Sequence, residues 1–315
     1  MTPHFGSFVL RRALTSIALV LIVASAALLL ARLAPGDHLS EFEMSSAAAQ
    51  AERHRLGLDR PLGEQYLSWL RRAVVLDLGE STRYPGRAVS VLIAERVGNT
   101  LLLGIPALIL ATVVGLPLGI VAGSGNRGAA LAAARATNIV LLSLPPVLLS
   151  LAFLLLAART GWFPVGGLPA GGDIAERLRY LVLPVLALGL PVAASLERLQ
   201  ARSLAAALMH PSISAARARG IPRRRVVWGH AFKLSLTPVL AVYGVIVGSL
   251  ISGSFAVEYV MTWPGLGRLM YDGLVSRDAN VVAGCAATGS AFLALGVFLG
   301  DVLLALVDPR LAEQR

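Results

Sequence analysis

Long apolar runs recur along the chain, separated by short polar stretches. Crossing about 30 Å of hydrocarbon takes roughly 20 apolar residues in a helix. Six stretches meet or approach that length: Ala13–Ala31, Val97–Asn126 with its core at Leu101–Ala122, Ala136–Ala158, Tyr180–Leu196, Leu234–Val257 and Val281–Val307. Lipid offers no partner to backbone N–H and C=O groups, so these runs are expected to be helices and not open strands. The pattern predicts an all-α integral membrane protein with about six transmembrane helices. The fourth run is short and interrupted by Pro184 and Pro191, so its ends are the least defined. The first is too long for the apolar region of a signal peptide and has no clear small-residue cleavage site after it. It reads as a retained anchor.

The polar stretches orient the spans. Arg198–Lys233 carries Arg198, Arg202, Arg217, Arg219, Arg223, Arg224, Arg225 and Lys233 without an acid, and cytoplasmic loops are biased towards Lys and Arg. That puts Met1–Arg12, Arg127–Arg135, Arg198–Lys233 and the tail after Asp308 inside, with both termini cytoplasmic. Arg32–Arg96 balances its arginines with nine acids, among them Asp37, Glu64 and Asp77, and reads as an extracytoplasmic segment. Within it Ser45–Leu56 and Pro61–Val75 can form short helices, the second with its proline in the first turn. Gly79 and Pro85-Gly86 then break the chain. Two parts result: 1–96, an N-terminal span plus outside segment, and 97–315, a five-helix core with a cytoplasmic loop at 198–233.

Gly115, Gly119 and Gly123 recur every four residues in the second span, and Gly244, Gly248 and Ser252 repeat that spacing in the fifth. Small residues at this interval let helix backbones approach closely. Helix packing is the favoured reading of both stripes.

Composition agrees with the run structure. Hydrophobic residues make up 56% of the 315 and charged residues 15%, against about a quarter charged in soluble domains. Mean hydropathy is +0.72. The net charge of +10 comes almost wholly from arginine. It lies between apolar runs without the aromatic interleaving that stacks bases, so nucleic acid is not an expected partner. Cys285 is the single cysteine, and the five histidines show no metal-ligand spacing, so no metal site is expected.

Candidate chemistry is sparse. No G-x-x-x-x-G-K-[ST] cradle exists, and Lys233 is the only lysine; ATP, if used, must be hydrolysed by a partner. The spans hold no nucleophile–base pair. Asp301 is the one clear intramembrane acid, and such acids are functional candidates by default. It lies about two turns from the inner end, within reach of water or a loop arginine. An interfacial structural role is preferred, and a role in the pathway or gating is the alternative. A self-sufficient secondary transporter or channel is a rival class. It would be expected to show internal repeats and a mid-depth acid, and neither is legible.

The loop after the fourth span is the most informative. Ser212–Arg219 reads as a short helix, begun after Pro211 and stopped by Gly220, with Pro222 beyond. Ala215, Ala216 and Ala218 offer a small-sided surface, while Arg217 and Arg219 project charge. Bulky apolar anchors of the kind that seat a helix on lipid are absent, which favours docking into a groove on another protein.

These residues resemble the inner-membrane permease subunits of the dipeptide/oligopeptide/nickel group of ABC importers. The similarity is carried by Ala215-Ala216-Arg217-Ala218-Arg219-Gly220-Ile221 with Arg223–Arg225, His230 and Leu236-Thr237-Pro238. Further stretches match in order: Leu33-Ala34-Pro35-Gly36-Asp37, Leu56-Gly57-Leu58-Asp59-Arg60-Pro61 with Gln65-Tyr66, and Asp77-Leu78-Gly79-Glu80-Ser81. Then come Gly161-Trp162-Phe163-Pro164, Leu183-Pro184, Trp263-Pro264-Gly265-Leu266-Gly267-Arg268, Arg277-Asp278, Asp301 and Asp308-Pro309-Arg310. The resemblance implies an ABC importer permease-like fold in the bacterial inner membrane. It implies a pathway shared with a second homologous permease, two cytoplasmic ATPase subunits and an extracytoplasmic substrate-binding protein. The chain itself would be non-catalytic and bind no cofactor, with ATP and Mg held by the ATPases. The loop helix within 212–220 would be the coupling element, and Ala215, Ala216, Arg217, Ala218, Arg219 and Gly220 its contact residues. Peptides are the implied substrate class, with nickel or a metal chelate as the alternative.

Overall fold

A computed structural model describes residues 3–34, 51, 54–55, 57, 59–125, 128–169, 171 and 173–307. Ser45–Leu56 lies largely outside the described residues, as do Pro35-Gly36-Asp37, Leu56, Leu58 and Asp308-Pro309-Arg310. The described residues are almost wholly helical. The elements are α1 (Pro3–Leu33), α2 (Leu62–Ala73), α3 (Val89–Gly123), α4 (Ala129–Ser143), α5 (Pro146–Thr160), α6 (Ile174–Leu208) and α7 (Pro211–Ala218). After a short turn follow α8 (Phe232–Val260), α9 (Leu266–Val275) and α10 (Ala279–Val307). Five helices are long and apolar enough to span a membrane, and the pair α4–α5 makes a sixth if counted as one broken span.

Four apolar runs coincide with α1, α3, α8 and α10, each helix starting before its run, while the second run, to Asn126, outlasts α3, which ends at Gly123. The second helix starts eight residues earlier than its run, at Val89, so a boundary between 96 and 97 falls inside α3. The third run is not one helix. Ala136–Ala158 breaks at Leu144-Pro145-Pro146, where α4 and α5 meet at 106°. Leu144 is extended (φ −97°, ψ 115°) and Pro146 opens α5. Two adjacent prolines remove two N–H donors, and the first forces the residue before it out of the helical region.

The fourth run is not short either. α6 spans 35 residues, roughly 52 Å at 1.5 Å per residue. It begins where the Asp173 side chain accepts from Ile174 N at 2.6 Å. Pro184 and Pro191 lie inside it without ending it. Packing by neighbours on all sides offsets the lost bonds: α6 is the most buried of the spans, whereas α1 is the least.

α3 and α6 share the largest interface in the fold. The glycine stripe produces it. A Cβ at Gly115 would lie 2.5 Å from the Ala193 carbonyl oxygen, and one at Gly123 would lie 2.5 Å from that of Ala201. The second stripe seats α8 on α10, with Gly244 against Val297 and Gly248 against Leu293. Leu103 and Ala107 of α3, Leu188 and Leu196 of α6, and Val239 and Leu250 of α8 form the main buried core. α1 stands outside it, packed on α10 and α2.

Pro61 takes the position just before α2 and not its first turn. Trp69 of α2 is buried against Ala24 and Leu28 of α1 and Ala279 and Ala283 of α10. Gly79 and Gly86 have φ of +84° and +76°, values that favour glycine, and they turn the chain into α3.

Candidate coupling site

α6 runs on to Leu208, and a continuous helix resumes at Arg223. The expected 198–233 loop therefore shrinks to residues 209–222, with α7 at its centre. His210 precedes the helix, and its Nδ1 accepts from Ser212 N at 3.3 Å. Pro211 occupies the first turn, where its missing N–H costs nothing. At the other end Gly220 adopts φ +77°. Ile221 N donates to Ala216 O at 3.3 Å and Gly220 N to Arg217 O at 2.9 Å. This pair of bonds closes the helix as a Schellman turn.

The inner face of α7 is fixed. Ile213 is buried in a cluster with Ile120 of α3, Leu204 and Ala207 of α6, and Val226, Val227 and Ala231, and Ala216, three residues on along the helix, is buried as well. Arg223 Nη2 donates to Ser124 O at 2.7 Å, placing a cation at the carbonyl end of α3, where the helix dipole favours it. Arg135 of α4 donates to Ala122 O at 3.2 Å in the same place. Residues Val226–Ala231 form a π-helical turn between Arg223–Arg225 and α8. Such turns are rare and concentrate at functional sites.

Of the six sequence-selected residues, Ala215, Arg217, Ala218, Arg219 and Gly220 are exposed. Ala216 is not; it is buried and cannot belong to an outer docking surface. A Cβ at Gly220 would meet nothing within 4 Å. The loop thus has a hydrophobic underside locked to three long helices and an outer rim of small and cationic residues.

Asp301 is far from this loop in sequence and in role. It pairs with Arg12 Nε of α1 and is largely buried. The pair joins the peripheral α1 to α10.

Sequence reasoning missed two buried acids, Glu258 near the end of α8 and Glu197 in α6. Glu258 lies at the end of the molecule opposite α7. Its Oε2 accepts from Gly267 N at 2.6 Å, capping the start of α9 with negative charge. Around it Trp263 is fully buried and donates from Nε1 to Asn99 O at 3.0 Å, Asn99 Nδ2 donates to Pro264 O at 2.8 Å, and Leu266 N donates to Thr100 Oγ1 at 2.8 Å. Asp278 completes the end. It accepts from Ser81 Oγ at 2.6 Å, Arg83 N at 3.0 Å and Val281 N at 3.1 Å. The Trp263-to-Arg268 motif was available as a signal, since two glycines beside a tryptophan and a proline indicate a tight turn.

Residues 115–313 match the family described as binding-protein-dependent transport system inner membrane component, and residues 5–109 match the N-terminal family of the same membrane components. The chain belongs to this family. Its members are inner-membrane permeases of ABC importers, so the protein is a multi-pass permease of the bacterial inner membrane. The permease is 32% identical to the oligopeptide transport system permease protein AppB of Bacillus subtilis, over 97% of this chain and 99% of that one. It is 30% identical to the oligopeptide transport system permease protein OppB of Salmonella typhimurium, over 96% and 98%. Its fold is similar to that of the MetNI methionine ABC transporter in an inward-facing conformation. The TM-score is 0.55 at 20% identity, covering 69% of this chain and 96% of that one.

Proposed function

We propose that this permease forms half of the translocation pathway of a peptide importer and is driven through α7. In this reading a second homologous permease supplies the other half. Two cytoplasmic ATPase subunits hold ATP and Mg, and an extracytoplasmic protein delivers the peptide. Both termini and α7 lie on the cytoplasmic side. The chain itself catalyses nothing.

The observation that carries the reading is the two-sided construction of α7. A docked element transmits only the difference in its contacts between two states, and it must be stiff to move what lies behind it. α7 meets the second need through Ile213, which packs with α3, α6 and the turn leading into α8, and through the buried Ala216 on the same side of the helix. It offers Ala215, Arg217, Ala218 and Arg219 outward for the first. Peptide as substrate rests on the relatives, two of which are oligopeptide permeases over nearly their full length.

The test is to reverse both charges, Arg217→Glu with Arg219→Glu, and separately to make Gly220→Val. Exposed substitutions of the first kind change stability by no more than about 0.5 kcal/mol. Membrane insertion is expected to be normal, while co-purification of the ATPases or peptide-stimulated ATP hydrolysis falls at least tenfold, a loss equivalent to about 1.4 kcal/mol of contact. Wild-type co-purification together with wild-type stimulated hydrolysis in both variants would refute the reading.

A further inference from the structure

The end of α1 remote from Asp301 meets α2 and the start of α10 around an enclosed cavity of about 50 Å³. That exceeds the space one water needs. Arg32 of α1, Arg60 and Arg72 of α2 and its approach, and the buried Trp69 all line it, and among the described residues no carboxylate does. None of the three arginines makes an ion pair among the described residues. Arg32 has one side-chain bond, from Nη2 to Asn280 Oδ1 at 3.3 Å. Asn280 is itself held, its Nδ2 donating to Glu80 O at 2.9 Å.

Trp69 supplies the second observation. The residue is only 3% exposed, and its Nε1 has no hydrogen-bond partner among the described residues. A buried indole N–H without an acceptor costs about 1–3 kcal/mol, so such groups normally find one. Gln65 lines the same cavity, and its Oε1 is also buried with no hydrogen bond among the described residues; three cationic forks and an orphaned donor around this cavity favour an acceptor that carries negative charge.

The surroundings identify its source. Leu28 and Leu29 of α1 and Leu62 of α2 also line the cavity, and Leu30 and Leu33 stand exposed on the same end of a membrane span. Tyr66 and Trp69 sit at the level of the span's end, where amphipathic rings mark the headgroup region. Apolar side chains below and arginines above match a phospholipid, with acyl chains along α1 and a phosphodiester among the guanidinium groups, which bind phosphate bidentately.

We propose that this cavity is a binding site for the phosphate of a phospholipid headgroup, held by Arg32, Arg60, Arg72 and the Trp69 N–H. A bound phosphate there links α1 to α2 and α10, adding a third tie to the least buried span.

Native mass spectrometry of the full-length chain in detergent tests this, with phosphatidylglycerol and a diacylglycerol of the same acyl chains as probes. The expected result is phosphatidylglycerol retained roughly tenfold better than diacylglycerol, as one or two charge-assisted bonds predict. Arg72→Gln should remove most of that preference, and Trp69→Phe, which keeps the packing and loses only the N–H, should reduce it severalfold. Arg60 and Arg72 are exposed, so unchanged melting temperatures of their variants separate loss of binding from loss of folding. Equal retention of the two lipids overturns the proposal. So does an Arg72→Gln variant that keeps its lipid preference but raises the KM for peptides with a free C-terminal carboxylate and not for their amides. That outcome would assign the cavity to a substrate carboxylate.

Discussion

The two ends of the helical bundle use the same residue types in opposite ways. At the α7 end, Arg217 and Arg219 are exposed, and Gly220 turns the chain in open space. At the Trp263 end, Glu258 and Asp278 are fully buried, each accepting backbone N–H groups. There Gly265 has no room for a side chain because the Glu258 carboxylate fills it, and Gly267 abuts Phe255. A buried charge is tolerated only with its hydrogen bonds made, so the Trp263 end is a clamp whose polar groups serve the fold. At the α7 end Arg223 is used within the chain, on the carbonyl of Ser124, while Arg217 and Arg219 stand on the exposed rim, where the proposed docking would use them.

That contrast is broken most sharply by filling its glycines. Gly267→Val drives a branched side chain into the backbone of Phe255, and overpacking against an immobile neighbour costs about 3 kcal/mol. Gly220→Ala meets no atom and costs only the left-handed backbone penalty, about 1 kcal/mol. Thermal unfolding of the detergent-purified chain is expected to show a large drop for the first and a small one for the second. Equal drops would mean that the two turns are not differently loaded.

The smallest effect is expected at Asp301. The pair with Arg12 is partly exposed, the arginine side chain at 38% and the aspartate at 12%, so its loss should cost about 1 kcal/mol or less. Asp301→Asn should leave peptide transport nearly intact and make α1 more accessible to protease or hydrogen exchange. A severe transport defect with α1 still protected would assign Asp301 to the pathway or gating instead.

Much of this architecture is legible in the residue order, and the exceptions have physical causes. Four spans coincide with uncharged runs because lipid exposure demands continuous apolarity. The end signals of α7, Pro211 and Gly220, are local chemistry and locate that helix within one residue. The α4–α5 bend was misread because Leu144-Pro145-Pro146 lies inside an apolar run, and hydropathy carries no information on backbone direction. α6 is longer than its apolar run for the converse reason: its flanks carry Glu176, Arg177 and Arg198, exposed charges that end an apolar run without ending a helix, and the acid beside Arg198, Glu197, is buried by packing. The inward turn of Ala216 and the Arg12–Asp301 pair, 289 residues apart, depend on packing that no local pattern encodes. Glu258 sits one residue past the expected end of the fifth span and so never counted as buried.

Cys285, the chain's single cysteine, is fully buried, which leaves room for one decisive measurement. Ala215→Cys introduces an accessible thiol on the outer rim of α7, and Leu274→Cys on α9, exposed at the Trp263 end, serves for comparison. With the assembled transporter in membranes, a short bifunctional cross-linker is expected to join the Ala215→Cys chain to an ATPase subunit and to change in yield when ATP is added. No cross-link from a thiol shown to be reactive, or an equal yield from the opposite end, would contradict the assignment of α7 as the element through which this permease is driven.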